Sequence, residues 1–289
     1  MCRSDEPASP PGDGGLIRLR LDVCYDGTDF FGWAAQPGLR TVQRVLQDAL
    51  STLARIERPR LTVAGRTDAG VHAEGQVAHL DIDPARWHEL RDTALRRLNG
   101  LLPGDVRVLA VAVAPSGFDA RFSALWRSYR YRISDADFGV RPLRRRDTAL
   151  WRRALDAPAM HAAAQRLLGL HDFTAFCKRR EGATRIRTLQ RLDVVRDGDE
   201  IEIHARSDAF CHSMVRSLVG ALVAVGEGRR DADWLAGLLQ LGSRSGEVTV
   251  APPHGLTLVA VGYPSDAELA GRAEQTRALR IVATSGDEG

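Results

Sequence analysis

Ile17, Leu19, Leu21 and Val23 alternate with Arg18, Arg20 and Asp22, a period of two that predicts a strand with one buried face. Past a turn at Asp26-Gly27, Val42, Val45, Leu46, Ala49, Leu50 and Leu53 recur at helical spacing, behind Thr41, placed to cap the N-terminus. Short strands are predicted around 61–64 and 78–82, then one helix carrying Trp87, Leu90, Leu95 and Leu98, and a strand over 106–113 beyond Pro103-Gly104.

A second strand shows the same alternation, with Tyr129, Tyr131 and Ile133 on one face and Ser128, Arg130 and Arg132 on the other. A helix near 160–168, strands over 189–195 and 201–205, helices from about 212 to 225 and around 234–239, and a strand over 256–261 complete the pattern. Two halves of similar content, each pairing antiparallel strands with helices, predict an α+β fold whose sheets meet at a central cleft. The expected organisation is a flexible tail over 1–15, subdomains over 16–115 and 116–264, and a second flexible tail over 265–289, which is small, charged and without sustained apolar periodicity.

No apolar run approaches the ~20 residues that span a bilayer, so a soluble, cytoplasmic protein is expected. Cys2, Cys24, Cys177 and Cys211 show no Cys-x-x-Cys pairing, and buried free thiols are the expectation. The net charge of +3 rises to +7 over residues 16–264 once both acidic ends are set aside. Lys178 is the only lysine, so that charge is carried by guanidinium groups, which fork onto phosphates and stack on bases. Clusters at Arg141, Arg144, Arg145 and Arg146, and at Lys178, Arg179, Arg180, Arg185, Arg187 and Arg191, are candidates for an electrostatic track or simply for solvated faces.

The run Gly65-Arg66-Thr67-Asp68-Ala69-Gly70-Val71-His72-Ala73 ends a short strand in a loop where an acid is flanked by small residues. Such loops let a substrate approach the backbone closely and hold a side chain at a fixed angle, although an Asp here equally suits a turn or cap acceptor. Val23-Cys24-Tyr25-Asp26-Gly27-Thr28 offers a different chemistry, an aspartyl-phosphate site at a strand end, but lacks the further acids that would hold Mg²⁺. Cys177 with His171, or Cys211 with His212, lack zinc spacing and a third partner, so no metal is expected. His72 shows no carboxylate partner in the sequence and is read as structural.

The Asp68 run, together with Tyr25-Asp26-Gly27, Gly32-Trp33, Phe118-Asp119-Ala120-Arg121-Phe122-Ser123-Ala124, Tyr129-Arg130-Tyr131, Phe210 through Met214-Val215-Arg216, and Gly255 to Val261, resembles the tRNA pseudouridine synthase A family. The blocks fall in the family's order over roughly residues 16–264, and the Gly65-to-His72 block is highly specific. The resemblance implies the pseudouridine synthase fold and isomerisation of uridine to pseudouridine at positions 38, 39 and 40 of the tRNA anticodon stem-loop. It also implies no cofactor, and a homodimer in which one tRNA spans both subunits.

By the same resemblance Asp68 is the catalytic carboxylate, Tyr129 the tyrosine that stacks on the flipped uracil, and Arg216 the partner of Asp68. Arg66 is a candidate to fill the space that the base leaves or to bind its phosphate. Attack on ribose C1′, addition to uracil C6 and abstraction of a sugar proton all remain open for Asp68. Tyr131 faces the same way as Tyr129 and is equally a core residue. Ala34 stands where the family usually has Gln, and Ser213 where a His is common. A non-catalytic RNA-binding module is the competing reading from another class.

Overall fold

The computed structural model describes residues 15–178 and 184–285. The expected N-terminal tail, apart from Gly15, and Arg179 and Arg180 of the second basic cluster lie outside the described residues. The chain runs β1 (Ile17–Tyr25), α1 (Val42–Ala54), β2 (Thr62–Val63), β3 (His72–Ile82), α2 (Pro84–Leu90), α3 (Ala94–Leu101) and β4 (Val106–Val113) through its first half. The second half contributes β5 (Trp126–Ser134), β6 (Ala149–Leu150), α4 (Ala157–Gln165), β7 (Gly169–Asp172), β8 (Ile186–Asp197), β9 (Glu200–Ser207), α5 (Met214–Gly226), α6 (Ala232–Gly237), β10 (Leu256–Gly262) and α7 (Leu269–Ser285).

The α+β expectation holds, and the two sheets are fused into one. The strand order is β4-β1-β3-β10-β5-β9-β8-β7, with β2 on β3 and β6 on β5. The last strand, β10, is the weld: it runs parallel to β3 and antiparallel to β5. Its register sets Leu258 against both Ala73 and Tyr129, so the start of β3 and the middle of β5 lie two strand spacings apart, roughly 10 Å. The alternation read from the sequence selects the faces. Leu19, Leu21 and Val23 are buried with Tyr129, Tyr131 and Ile133, whereas Arg130 and Arg132 on the opposite face form ion pairs with Glu74, Glu202 and Asp147.

Several local expectations change. The single helix over Trp87 to Leu98 is two, because the chain turns between Leu90 and Thr93, where the Thr93 N–H donates back to the Leu90 carbonyl at 2.9 Å. Thr41 occupies the N-cap of α1 but its hydroxyl does not cap, and Oγ1 is buried without a hydrogen bond. The first N–H groups of α1 go to backbone instead: Val42 donates to Gly32 at 3.2 Å and Gln43 to Trp33 at 3.0 Å.

Residues 265–289 were expected to lack structure, yet Leu269–Ser285 is helical, entered through a capping box formed by Ser265 and Glu268. Leu269 and Ala273 are buried, and Leu269 joins an apolar cluster with Ala64, Val77, Ala114, Phe118 and Ala120. The Ser123 hydroxyl donates to the Leu269 carbonyl at 3.1 Å, and Arg277 pairs with Asp119 at 3.1 Å. The helix is weakly amphipathic, and its anchor is a distant segment, which a local pattern does not reveal.

The expectation of free thiols also fails for two cysteines. Cys177 and Cys211 form a disulfide, while Cys24 is free. Antiparallel pairing of β8 with β9 explains the proximity, since the chain entering β8 then lies beside the chain leaving β9. No helix among the described residues is long and apolar enough to cross a membrane.

Candidate active site

Asp68 sits in the loop between β2 and β3, at the middle of the sheet. That loop is built on contacts from three directions. The Trp33 N–H donates to the Thr67 carbonyl at 3.0 Å, and the Gly70 N–H donates to the Phe30 carbonyl at 3.2 Å. Tyr25 and Thr67 share a buried hydroxyl–hydroxyl hydrogen bond of 2.7 Å, and the Gln76 amide donates to the Gly65 carbonyl at 2.7 Å. Within the loop, the Val71 N–H returns to the Asp68 carbonyl at 3.2 Å, leaving Asp68 just before the tight turn at Gly70, where φ is +76°.

The sequence-predicted partners converge on this loop. The Asp68 side chain is 31% exposed, and its Oδ2 lies 3.6 Å from Nη1 of Arg216, itself 18% exposed. Arg216 is aimed by its own fixings: its Nε donates to the Ala251 carbonyl at 2.7 Å, and its backbone carbonyl accepts from the Ala251 N–H at 3.0 Å. Tyr129 is buried beneath the loop, with Phe210 edge-on to its ring at 5.1 Å between centroids and 89° between planes. Burial, reinforced by the charge of Asp68 and by Tyr25, pushes the Tyr129 phenol well above its ordinary range, so it stays neutral and keeps its proton to donate. Burial likewise pushes Tyr25 up to about 12.

Arg127 fastens these parts from below. Its guanidinium donates to the carbonyls of Asp208, Ala64 and Arg121 at 2.8, 2.8 and 2.9 Å, joining β5 to the root of the Asp68 loop and to the chain leaving β9. Arg66 is exposed, two residues before Asp68, and forms no hydrogen bond or ion pair with another described residue. Tyr131 is core: fully buried, it donates to the Pro252 carbonyl at 2.8 Å.

Sequence reasoning missed one neighbour of the carboxylate. His212 Nε2 lies 3.4 Å from Asp68 Oδ1, on the opposite oxygen from Arg216. Its one signal was its place in the Phe210-to-Arg216 block. His72 does have an acidic neighbour after all, with Nδ1 at 3.2 Å from Asp26 Oδ1. Its role is still architectural: Nδ1 accepts the Gly27 N–H at 2.9 Å, so Nε2 carries the proton and donates to the carbonyls of Arg146 and His254 at 2.8 and 3.0 Å.

Asp26 is a latch rather than a phosphate acceptor. Although burial opposes its charge, the hydrogen bonds from Thr28 and Arg146 hold its carboxyl down at about 2, against an ordinary value of 3.8. A depressed folded value means that the ionised latch adds stability above pH about 4, lost as pH falls through about 2. Asp26→Asn is therefore expected to cost on the order of 1 kcal/mol at pH 7, discounted for partial exposure, and to flatten the loss of stability between pH 4 and 2. Urea unfolding of both proteins at pH 2.5, 4 and 7 checks this; a constant difference across the three would contradict it.

The basic clusters are less open than the sequence suggests. Arg141, Arg144, Arg146 and Arg191 pair with Asp199, Asp147, Asp26 and Asp193. Among the described residues no three His, Cys, Asp or Glu side chains come together as a metal site.

A family model described as tRNA pseudouridine synthase matches residues 163–264, which include Phe210, His212 and Arg216 but not Asp68. Proteins named tRNA pseudouridine synthase A match almost end to end. One from Frankia casuarinae is 61% identical over 272 residues, covering 93% of this chain and 98% of its own. One from Streptomyces avermitilis is 54% identical over 94% of this chain and 97% of its own, and one from Mycobacterium leprae is 54% identical over 94% and 98%. A chain in the crystal structure of a Cbf5-Nop10-Gar1 complex is far less similar, with 12% identity and a TM-score of 0.31 over 71% of this chain and 54% of its own.

Proposed function

Since the chain belongs to the tRNA pseudouridine synthase A family, we propose that it converts uridine to pseudouridine at positions 38, 39 and 40 of the tRNA anticodon stem-loop, with Asp68 as nucleophile. The observation that carries this reading is the placement of one accessible carboxylate between an aromatic pair, the buried Tyr129 and the partly buried Phe210, and an arginine fixed from behind, Arg216.

The chemistry asks for little more. The bond from C1′ to uracil N1 breaks, the base turns, C5 bonds to C1′, the C5 proton leaves and N1 gains one, with no net oxidation. A carboxylate supplies the electron pair for the electron-poor centre, and Arg216 stands beside it as the counter-charge. Tyr129 offers a ring for the flipped uracil to stack on and a neutral hydroxyl to bond it. Flipping costs a few kcal/mol, which phosphate contacts elsewhere must offset. Arg66, exposed beside the carboxylate, fills the vacated stack or holds the phosphate of the flipped nucleotide. The family resemblance extends the reading to a cytoplasmic homodimer with one tRNA across both subunits.

A tRNA transcript carrying tritium at C5 of its uridines tests this reading directly. In chelator-containing buffer the protein is expected to release tritium to a plateau no greater than the number of uridines at positions 38–40, and to lose that release on a transcript with cytidines there. Binding without release from any tRNA would instead favour a non-catalytic RNA-binding module.

A further inference from the structure

We propose that His212 is a positioning residue for Asp68, an inference that rests on the reading above. The reason lies in carboxylate geometry. The terminal torsion of an aspartate is broad, so a single partner on Oδ2, here Arg216 at 3.6 Å, leaves the plane of the group free to swing. A second group beside Oδ1, here His212 Nε2 at 3.4 Å, restricts that swing. Both separations exceed those of a tight hydrogen bond, so the carboxylate is oriented while its lone pairs remain available to the substrate.

The backbone around His212 is fixed more firmly than capping a helix requires. The Lys178 N–H donates to the His212 carbonyl at 3.0 Å, and the preceding Cys211 is bonded to Cys177. The following Ser213 adopts φ +64°, a left-handed conformation costly for a residue with a Cβ, and its side chain makes no cap hydrogen bond to α5. Strain held in this way points to placement of a neighbour, and the neighbours are His212 and, one turn into α5, Arg216.

To orient an ionised carboxylate, Nε2 must carry a proton, which both the imidazolium and one neutral tautomer provide. Among the described residues the charged groups that meet here are Asp68 from the β2–β3 loop and, on the far oxygen of that carboxylate, Arg216 from α5. Glutamine carries an amide N–H at nearly the reach of Nε2, and leucine fills the space without a donor.

The test compares wild type, His212→Gln and His212→Leu by tritium release at saturating tRNA across pH 5–9, with tRNA affinity and Tm measured in parallel. His212→Leu is expected to lower kcat about tenfold with KM within twofold. His212→Gln is expected to restore kcat to within about threefold. A leucine variant with wild-type kcat would overturn the proposal. So would loss of rate in both variants with a common drop in Tm, the mark of a purely structural residue. Absence of tritium release by wild type would instead overturn the underlying function.

Discussion

Asp68→Asn is expected to lower tritium release from C5-labelled tRNA by at least about 10⁴-fold while leaving tRNA affinity within about threefold. The amide keeps the volume of the carboxylate and one acceptor oxygen, so the loop from Gly65 to Val71 keeps its contacts to Trp33, Tyr25 and Gln76. What disappears is the charge and electron pair that the proposed reaction asks of Asp68, and removing a nucleophile costs on the order of 10⁴ to 10⁶ in rate. Affinity is carried mainly by phosphate contacts, which the substitution does not touch. The charge of Arg216 loses its partner, but the Ala251 carbonyl still holds its Nε at 2.7 Å and Asp68 is partly exposed. The stability cost is therefore under about 1 kcal/mol, as for ion pairs open to solvent. Release by the variant at more than a hundredth of the wild-type rate, with unchanged folding, would remove Asp68 from the chemistry.

The parts of the fold that were legible beforehand are those where one local pattern decides one face. Ile17 to Val23 and Tyr129 to Ile133 alternate because one side of each strand meets the core, and the structure buries the predicted members apart from Ile17, which is half-buried at the start of β1. Illegible parts depend on distant chain. The helix Leu269–Ser285 forms where Leu269 docks on Phe118 and Ala120, far away in sequence. Thr41 looks like a cap, but Gly32 and Trp33 arrive first with backbone carbonyls. The Cys177–Cys211 bond follows from the β8–β9 hairpin, which cysteine spacing does not encode.

The site divides in the same way. Asp68, Tyr129, Arg66 and Arg216 came from matching short blocks to a family, and the structure brings Tyr129 and Arg216 to Asp68 and leaves Arg66 exposed nearby. The match assigned no work to the supporting residues. Tyr25 and Gln76 hold the loop through Thr67 and Gly65, Arg127 ties its root to two other segments, and His212 approaches the Asp68 carboxylate. All of these are ordinary strand, loop or helix-end residues by local pattern. They acquire their roles only because β10 welds the half bearing Asp68 to the half bearing Tyr129 and Arg216.

That weld makes the first half's Gly32 unexpectedly important, and Gly32→Ala is expected to lower kcat by about 10- to 100-fold. Gly32 sits at φ +88°, and a Cβ there would stand 2.8 Å from the Thr67 carbonyl oxygen and 3.2 Å from the Asp68 carbonyl carbon. Both neighbours are backbone of the Asp68 loop, so the strain is relieved only by moving that loop or the Gly32–Trp33 segment. The segment cannot move freely, because Gly32 and Trp33 accept the first N–H groups of α1 while the Trp33 N–H holds Thr67. The loop yields, carrying Asp68 away from its alignment, and a misplacement approaching 1 Å costs on the order of 10²-fold. Gly38→Ala separates this from the conformational penalty alone: Gly38 is also left-handed, at φ +73°, but has nothing within 4 Å of its would-be Cβ. Each substitution is expected to cost about 1–2 kcal/mol of stability from the backbone conformation, with Gly32→Ala the worse of the two. Only Gly32→Ala is expected to lose rate when both are assayed well below their Tm. Equal kcat values for the two variants would mean that the loop tolerates the intrusion, and that the Gly32-Trp33 block serves α1 rather than Asp68.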